Sequence, residues 1–145
     1  MVTRFAWALF ALGLIVVLIV ESARYGWAIG SAVIVFLLLP DVALIGAFDR
    51  ARPGSLKPER VAFYNALHRP WPGLVLLAIG ALLFLPALGG APALGGVPAG
   101  RAVAAAGLAW LAHVAVDRAS GYGLRDAAGA IRPVGGLRAP ARCQA

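Results

Sequence analysis

Four long apolar runs, separated by short arginine-bearing segments, set what this chain can fold into. The first runs from Phe5 to Val20 without a charge, between Arg4 and Glu21. As an α-helix it reaches about 24 Å, slightly under a hydrocarbon core of about 30 Å, and flanking side chains can snorkel across the gap. A cleaved signal peptide is the competing reading, but Glu21-Ser22-Ala23 puts a glutamate where cleavage wants a small residue. The second run begins near Tyr25, with Tyr25 and Trp27 as aromatic anchors, and continues to about Phe48 across Pro40 and Asp41. Stopping at Leu39 it is short for a crossing; the proline therefore falls inside or at the edge of the span. There it frees a backbone carbonyl, which membrane helices tolerate when a neighbouring group satisfies it.

A polar loop follows over 49–60, and Pro58 with Glu59 reads as a helix start. The short helix from about Pro58 to His68 is broken by Pro70-Trp71-Pro72-Gly73, after which the third span continues to about Leu85. Residues 86–100, rich in proline and glycine, read as a loop. The fourth span lies between Arg101 and Arg118. Its small residues, Ala102 with Ala106 and Val103 with Gly107, permit close helix contact, and Gly121 and Gly123 can end it. The fold expected is all-α: a polytopic, four-transmembrane-helix bundle over 1–124 with a short cytoplasmic helix before span three, then a flexible basic cytoplasmic tail over 125–145. Cys143 falls in that tail, and as the single cysteine it forms no internal disulfide.

Composition agrees with this reading. Of 145 residues 61% are hydrophobic and 13% charged, against roughly 45–50% and 25% in soluble domains. The net charge of +7 is scattered through the connecting segments, with no basic face carrying aromatic or polar readers, which argues against nucleic acid as a partner. If the spans alternate, eleven of the 13 Lys and Arg lie on one side and only Arg24 and Arg101 on the other. The positive-inside rule then puts both termini in the cytoplasm of a multi-pass cell-membrane protein. The bilayer is the expected partner; a homo-oligomer or a membrane partner protein is open.

An ionisable group at membrane depth costs roughly 2.5–3.5 kcal/mol on insertion scales, so each needs a reason. Asp41, His68, His113 and Asp117 all fall toward the cytoplasmic ends of spans two, three and four. His113 and Asp117 stand at i and i+4, about 40° apart around a helix, with Trp110 on the same face; Tyr64 and His68 repeat that spacing. Two imidazoles and two carboxylates form a candidate ligand set for one divalent metal, zinc, manganese or iron. Asp41, His113 and Asp117 are also the candidate catalytic groups, with Tyr64, Asn65, Trp110, Arg118 and Tyr122 in support. The same residues could instead hydrogen-bond among themselves and hold helices together. Asp41 after Pro40 could be only a helix cap, and Arg118 could only complement the end of its helix.

Leu39-Pro40-Asp41, Tyr64-Asn65-Ala66-Leu67-His68, Trp110-Leu111-Ala112-His113 with Asp117-Arg118, and Gly121-Tyr122-Gly123-Leu124 together resemble the pattern of a bacterial membrane family catalogued as domain of unknown function family 4260. The resemblance covers about residues 25–125 and implies an integral membrane architecture with no established activity. Pro-Asp, then His-Arg, then a histidine four before an aspartate, is also distantly similar to inner-membrane metal-dependent hydrolases. One departure stands out: where the family pattern continues with a Thr-His-Leu-Gly stretch, residues 129–137 here hold no histidine.

Three functions are then in play. A membrane-embedded metal-dependent hydrolase would use Asp41, His68, His113 and Asp117 on a metal-bound water, with Asn65 or Tyr64 orienting the substrate. A non-catalytic protein would use the cluster to lock the bundle or a partner interface. A small transporter or proton relay would exploit the break at Pro40 beside Asp41. No phosphate-binding glycine loop, nucleophile elbow or dinucleotide fingerprint is present.

Overall fold

A computed structural model describes residues 2–88 and 96–134. Every long element in it is a helix: α1 (Val2–Tyr25), α2 (Trp27–Leu38), a 3₁₀ segment (Leu39–Leu44), α3 (Pro58–Leu67), α4 (Trp71–Leu88) and α5 (Gly96–Ser120). Among the described residues four stretches are long and apolar enough to cross a membrane: Thr3–Tyr25, Trp27–Leu44, Pro58–Leu83 and Ala99–Ser120. The third is interrupted at 68–70, so α4 is its crossing part and α3 is the short helix that the prolines foretold.

The helices run past the expected ends. Gly26 alone separates α1 from α2; its φ of 75° and the bond from its N–H to the Ser22 carbonyl close α1 in a left-handed turn that a Cβ would strain. The expected loop over 86–100 is helical at 86–88 and 96–100, and 89–95 lie outside the described residues.

The core is α5. Of its apolar span 61% is buried, against 11–22% of the other three, and it packs on α1, α2 and α4. Small residues make this possible. A Cβ on Gly107 would sit 2.7 Å from the Gly73 carbonyl oxygen, and one on Gly80 would sit 2.6 Å from the Ala104 nitrogen, so α4 and α5 touch through their backbones. On the other side Leu14, Leu18 and Ile29 pack on Ala105, Ala109 and Ala112, so α1 is a structural wall of the bundle. The outer faces of α1, α2 and α4 expose Phe5, Leu12, Ile34, Leu38, Leu74 and Leu82, as expected of helices solvated by lipid.

Two contacts fix the sense of α1 and α5. Arg4 donates from Nε to the Ala119 carbonyl (3.0 Å), and Arg101 pairs with Glu21 at 3.1 Å, so the two helices are antiparallel. The start of α1 and the end of α5 therefore share one end of the bundle.

That end carries a folded cap. Loop 45–57 and the segment after α5 meet there: the Leu56 N–H donates to Gly129 O (3.0 Å), the Arg125 guanidinium donates from Nη1 to Gly54 O (2.7 Å), and Arg125 pairs with Ile131 in an isolated bridge. The flexible tail expected from 125 onward is thus not what 125–134 form. Asp126 and Gly129 turn the chain, Arg125 is buried, and a Cβ on Gly129 would collide with the Leu56 carbonyl. Residues 135–145, Cys143 among them, lie outside the described residues.

Candidate metal centre

Each candidate ligand sits where a helix stops or is interrupted. Asp41 is in the 3₁₀ segment that Pro40 starts; His68 caps the C-terminus of α3; His113 and Asp117 lie in the last turns of α5. Pro40 has no N–H to give, so the carbonyl of Phe36, its α-helical acceptor, and that of Leu37, its 3₁₀ acceptor, both lose a donor. His113 takes up the second: its Nδ1 lies 2.8 Å from Leu37 O. The carbonyl freed by the proline is satisfied from a neighbouring helix, as the sequence demanded. His68 is fixed alike, with Nδ1 3.0 Å from Tyr64 O and its ring stacked on Tyr64 at 3.8 Å between centroids.

Those two bonds set the tautomers. A carbonyl oxygen only accepts, so Nδ1 carries the hydrogen in both rings, and in its neutral form each imidazole presents a bare Nε2. Both Nε2 atoms face the carboxylates. His68 Nε2 is 3.8 Å from Asp41 Oδ1 and 3.6 Å from Asp117 Oδ2; His113 Nε2 is 3.7 and 3.6 Å from the same two oxygens. These separations exceed a hydrogen bond, and the buried His113 Nε2 has no hydrogen-bond partner. Lone pairs aimed at anions repel unless a cation lies between them. Four ligands at about 2.0–2.2 Å around a tetrahedral ion stand about 3.3–3.6 Å apart, close to the spacing here. Ligand atoms of Asp41, His68 and His113 all lie within 4.8 Å of one another, close enough to hold a metal, and Asp117 flanks both imidazoles. A ligating histidine with its other nitrogen donating to a backbone carbonyl is the usual outer support of such sites.

The supporting residues divide. Trp110 donates from Nε1 to Leu67 O (2.9 Å), and Arg118 donates to His68 O (3.0 Å) and to Tyr122 O (3.1 Å), tying the end of α3 to the end of α5. Arg118 thus both completes its own helix end and positions a ligand. Gly121, at φ 93°, closes α5 with the Tyr122 N–H on Asp117 O, holding that aspartate's backbone. The Asn65 amide receives the Arg125 N–H (2.8 Å) and donates to Arg125 O (2.9 Å), pinning the cap. Gly123 is not the helix stop; a Cβ there would strike Arg132 O.

Beside the cluster opens a cavity of about 420 Å³ lined by Asp41, His68, Asp117, Tyr64, Tyr122 and Arg125 on its polar side and by Leu44, Phe48 and Ile131 on the other. Asp41 is half exposed toward it, so the cluster is reachable. Arg125 and the apolar lining were absent from the sequence reading. The one available signal was Asp126-Ala127-Ala128-Gly129, a turn pattern that folds a tail back.

Residues 4–131 match the family model described as Domain of unknown function (DUF4260). The chain belongs to that family. The match spans both histidines, both carboxylates and the capping segment, so the family and the site coincide on the chain. No curated protein and no solved structure matches it.

Proposed function

We propose that this chain is a multi-pass integral membrane protein that binds one divalent cation, zinc, manganese or iron, through Asp41, His68, His113 and Asp117 and uses it in hydrolysis. The capped end of the bundle, which gathers the start of α1, loop 45–57 and the segment after α5, faces the cytoplasm in this reading. The observation that carries it is the pair of bare Nε2 atoms, each held by a backbone bond at Nδ1 and set 3.6–3.8 Å from two carboxylates. The basic residues of the cap support the orientation. A cation there would bring its bound water to ionise near neutral pH, with Asp117 beside it to accept the proton and Asp41 exposed on the substrate side. The family's additional histidine is not required for four ligands.

Metal content by mass spectrometry on detergent-purified protein tests the reading. Near-stoichiometric metal in wild type, lost in both His68→Ala and His113→Ala, is the expected result. A folded wild-type protein without metal after incubation with zinc, manganese and ferrous iron would defeat it.

A second reading has its own support in the bonds from Trp110 and Arg118 to the Leu67 and His68 carbonyls, which join α5 to α3. A bundle lock built this way expects His113→Ala to lower thermal stability in detergent with no change in bound metal.

A further inference from the structure

The cavity beside the cluster is lined by both polar and apolar side chains, and its apolar residues Leu44 and Phe48 belong to a stretch of chain that is largely exposed. Leu44 ends the second span, and Val42, Ile45 and Phe48 are exposed along the same stretch of chain. Ile131, from the cap, lies on the cavity's apolar side and is itself exposed, as is Tyr122 on the polar side. A soluble substrate gains nothing from such a mouth, whereas a molecule with hydrocarbon chains keeps them in lipid while its head enters.

Charge selects the head. With a divalent cation in place and both imidazoles neutral, Asp41 and Asp117 balance the ion. Arg125 is then the uncancelled charge of the lining: it is buried, donates from Nη1 to Gly54 O and Gly129 O, and pairs with no carboxylate among the described residues. Its guanidinium lies 5.4 Å from the Tyr64 ring, whose other neighbour is the stacked His68, so the arginine stands one side chain away from a ligand. A cavity of about 420 Å³ is near the lower end of the roughly 300–1,000 Å³ of small-molecule sites, enough for a head group with its chains outside.

We propose that this cavity seats a membrane amphiphile with a singly anionic, phosphate-bearing head. The head lies between the Asp41–His68–Asp117 cluster and Arg125, and the hydrocarbon lies over Leu44, Phe48 and Ile131 into the bilayer. The placement of the head and its charge both rest on the metal reading above; the hydrocarbon part rests on the apolar lining.

Calorimetric titration of the full chain in maltoside detergent, with empty micelles as blank, tests it with three probes: dihexanoyl phosphatidylglycerol, dihexanoyl phosphatidylcholine and glycerol 3-phosphate. Phosphatidylglycerol binds about tenfold or more tightly than glycerol 3-phosphate, since two methylenes leaving water already account for about that factor, and more tightly than phosphatidylcholine, whose choline cancels the phosphate charge. Phe48→Ser, at an exposed position of the cavity lining, removes most of the advantage over glycerol 3-phosphate. Arg125→Gln removes the advantage over phosphatidylcholine. Equal affinity for glycerol 3-phosphate would overturn the proposal in favour of a soluble phosphate, and equal affinity for phosphatidylcholine in favour of an unselective apolar groove. Metal content measured on the same samples separates the two readings. Stoichiometric metal without lipid selectivity defeats the amphiphile site and leaves the metal centre, whereas absence of metal defeats the metal centre and, with it, the charge argument for the head.

Discussion

The two ends of the bundle both bring charged side chains from different helices together, and they solve the problem differently. At one end Glu21 and Arg101 close on each other at 3.1 Å, and the guanidinium also lies 4.0 Å over the Tyr25 ring. At the other end, two imidazoles stand 3.6–3.8 Å from two carboxylates, each ring anchored through Nδ1 to a backbone carbonyl. The first arrangement closes in direct contact between opposite charges and resembles the glue that joins membrane helices. The second is organised at distances beyond a hydrogen bond, close enough to hold a metal at Asp41, His68 and His113. Equal polarity in a sequence therefore hides unequal roles, and the distances separate them.

Chelation is the sharpest way to break the comparison. If the site end holds a cation, removing it with EDTA lowers the melting temperature of wild type, a loss of about 2–3 kcal/mol when metal had been present at about a hundred times its Kd. The His113→Ala variant shows no such shift, and Glu21→Gln shows all of it; identical chelator responses in the three proteins would erase the distinction. Next in size is Asn65→Ala, which removes both bonds to the Arg125 backbone and costs about 2 kcal/mol. Limited proteolysis then cuts within 124–134 faster than in wild type, while the ion-pair end is unaffected. The Glu21–Arg101 pair itself is worth less: a double-mutant cycle with Glu21→Gln and Arg101→Gln gives a coupling of about 0.6 kcal/mol, and a value several times larger would contradict its description as ordinary glue. The smallest effect is at Asp49, in the cap loop. The N–H of Ala51 and then the Arg52 side chain hold its carboxyl below the usual value of 3.8. A depressed value contributes stability above the unfolded pKa and loses it as pH falls through the folded one. The loop contact is thus complete at pH 5 and fades below about pH 4, as the amide shift of Ala51 would report, and Asp49→Asn flattens the profile.

The architecture was legible because the hydrocarbon core leaves a chain few options. Apolar length, arginine spacing and the helix-breaking prolines at 40, 58, 70 and 72 each correspond to a feature of the structure. The gathering of Asp41, His68, His113 and Asp117 was legible too, since their depth follows from their place in each span. What did not show was everything held by backbone oxygens. The carbonyls of Leu37, Tyr64 and Leu67, which orient both imidazoles and Trp110, have no residue identity to read. Asn65 was assigned toward a substrate because an amide beside a histidine invites that reading, whereas its partner is the backbone of residue 125. The segment after Leu124 read as a tail because it has no periodicity; its order comes from long-range backbone pairing with residues 54 and 56, and pairing of that kind leaves no local pattern.

The histidine on α5 is held by a carbonyl that Pro40 left free on the second span, and this has a bearing on biogenesis. During synthesis the earlier helices carry that acceptor without its cover until the last helix packs on them. His113 and Asp117 are also the last residues of the cluster to leave the ribosome. A chain arrested before α5 carries an uncompensated acceptor and only two of the four groups, a half-site that neither closes nor loads. Completion of the cluster thus coincides with completion of the bundle, so that a chain with an uncovered Leu37 carbonyl is one that has failed to assemble.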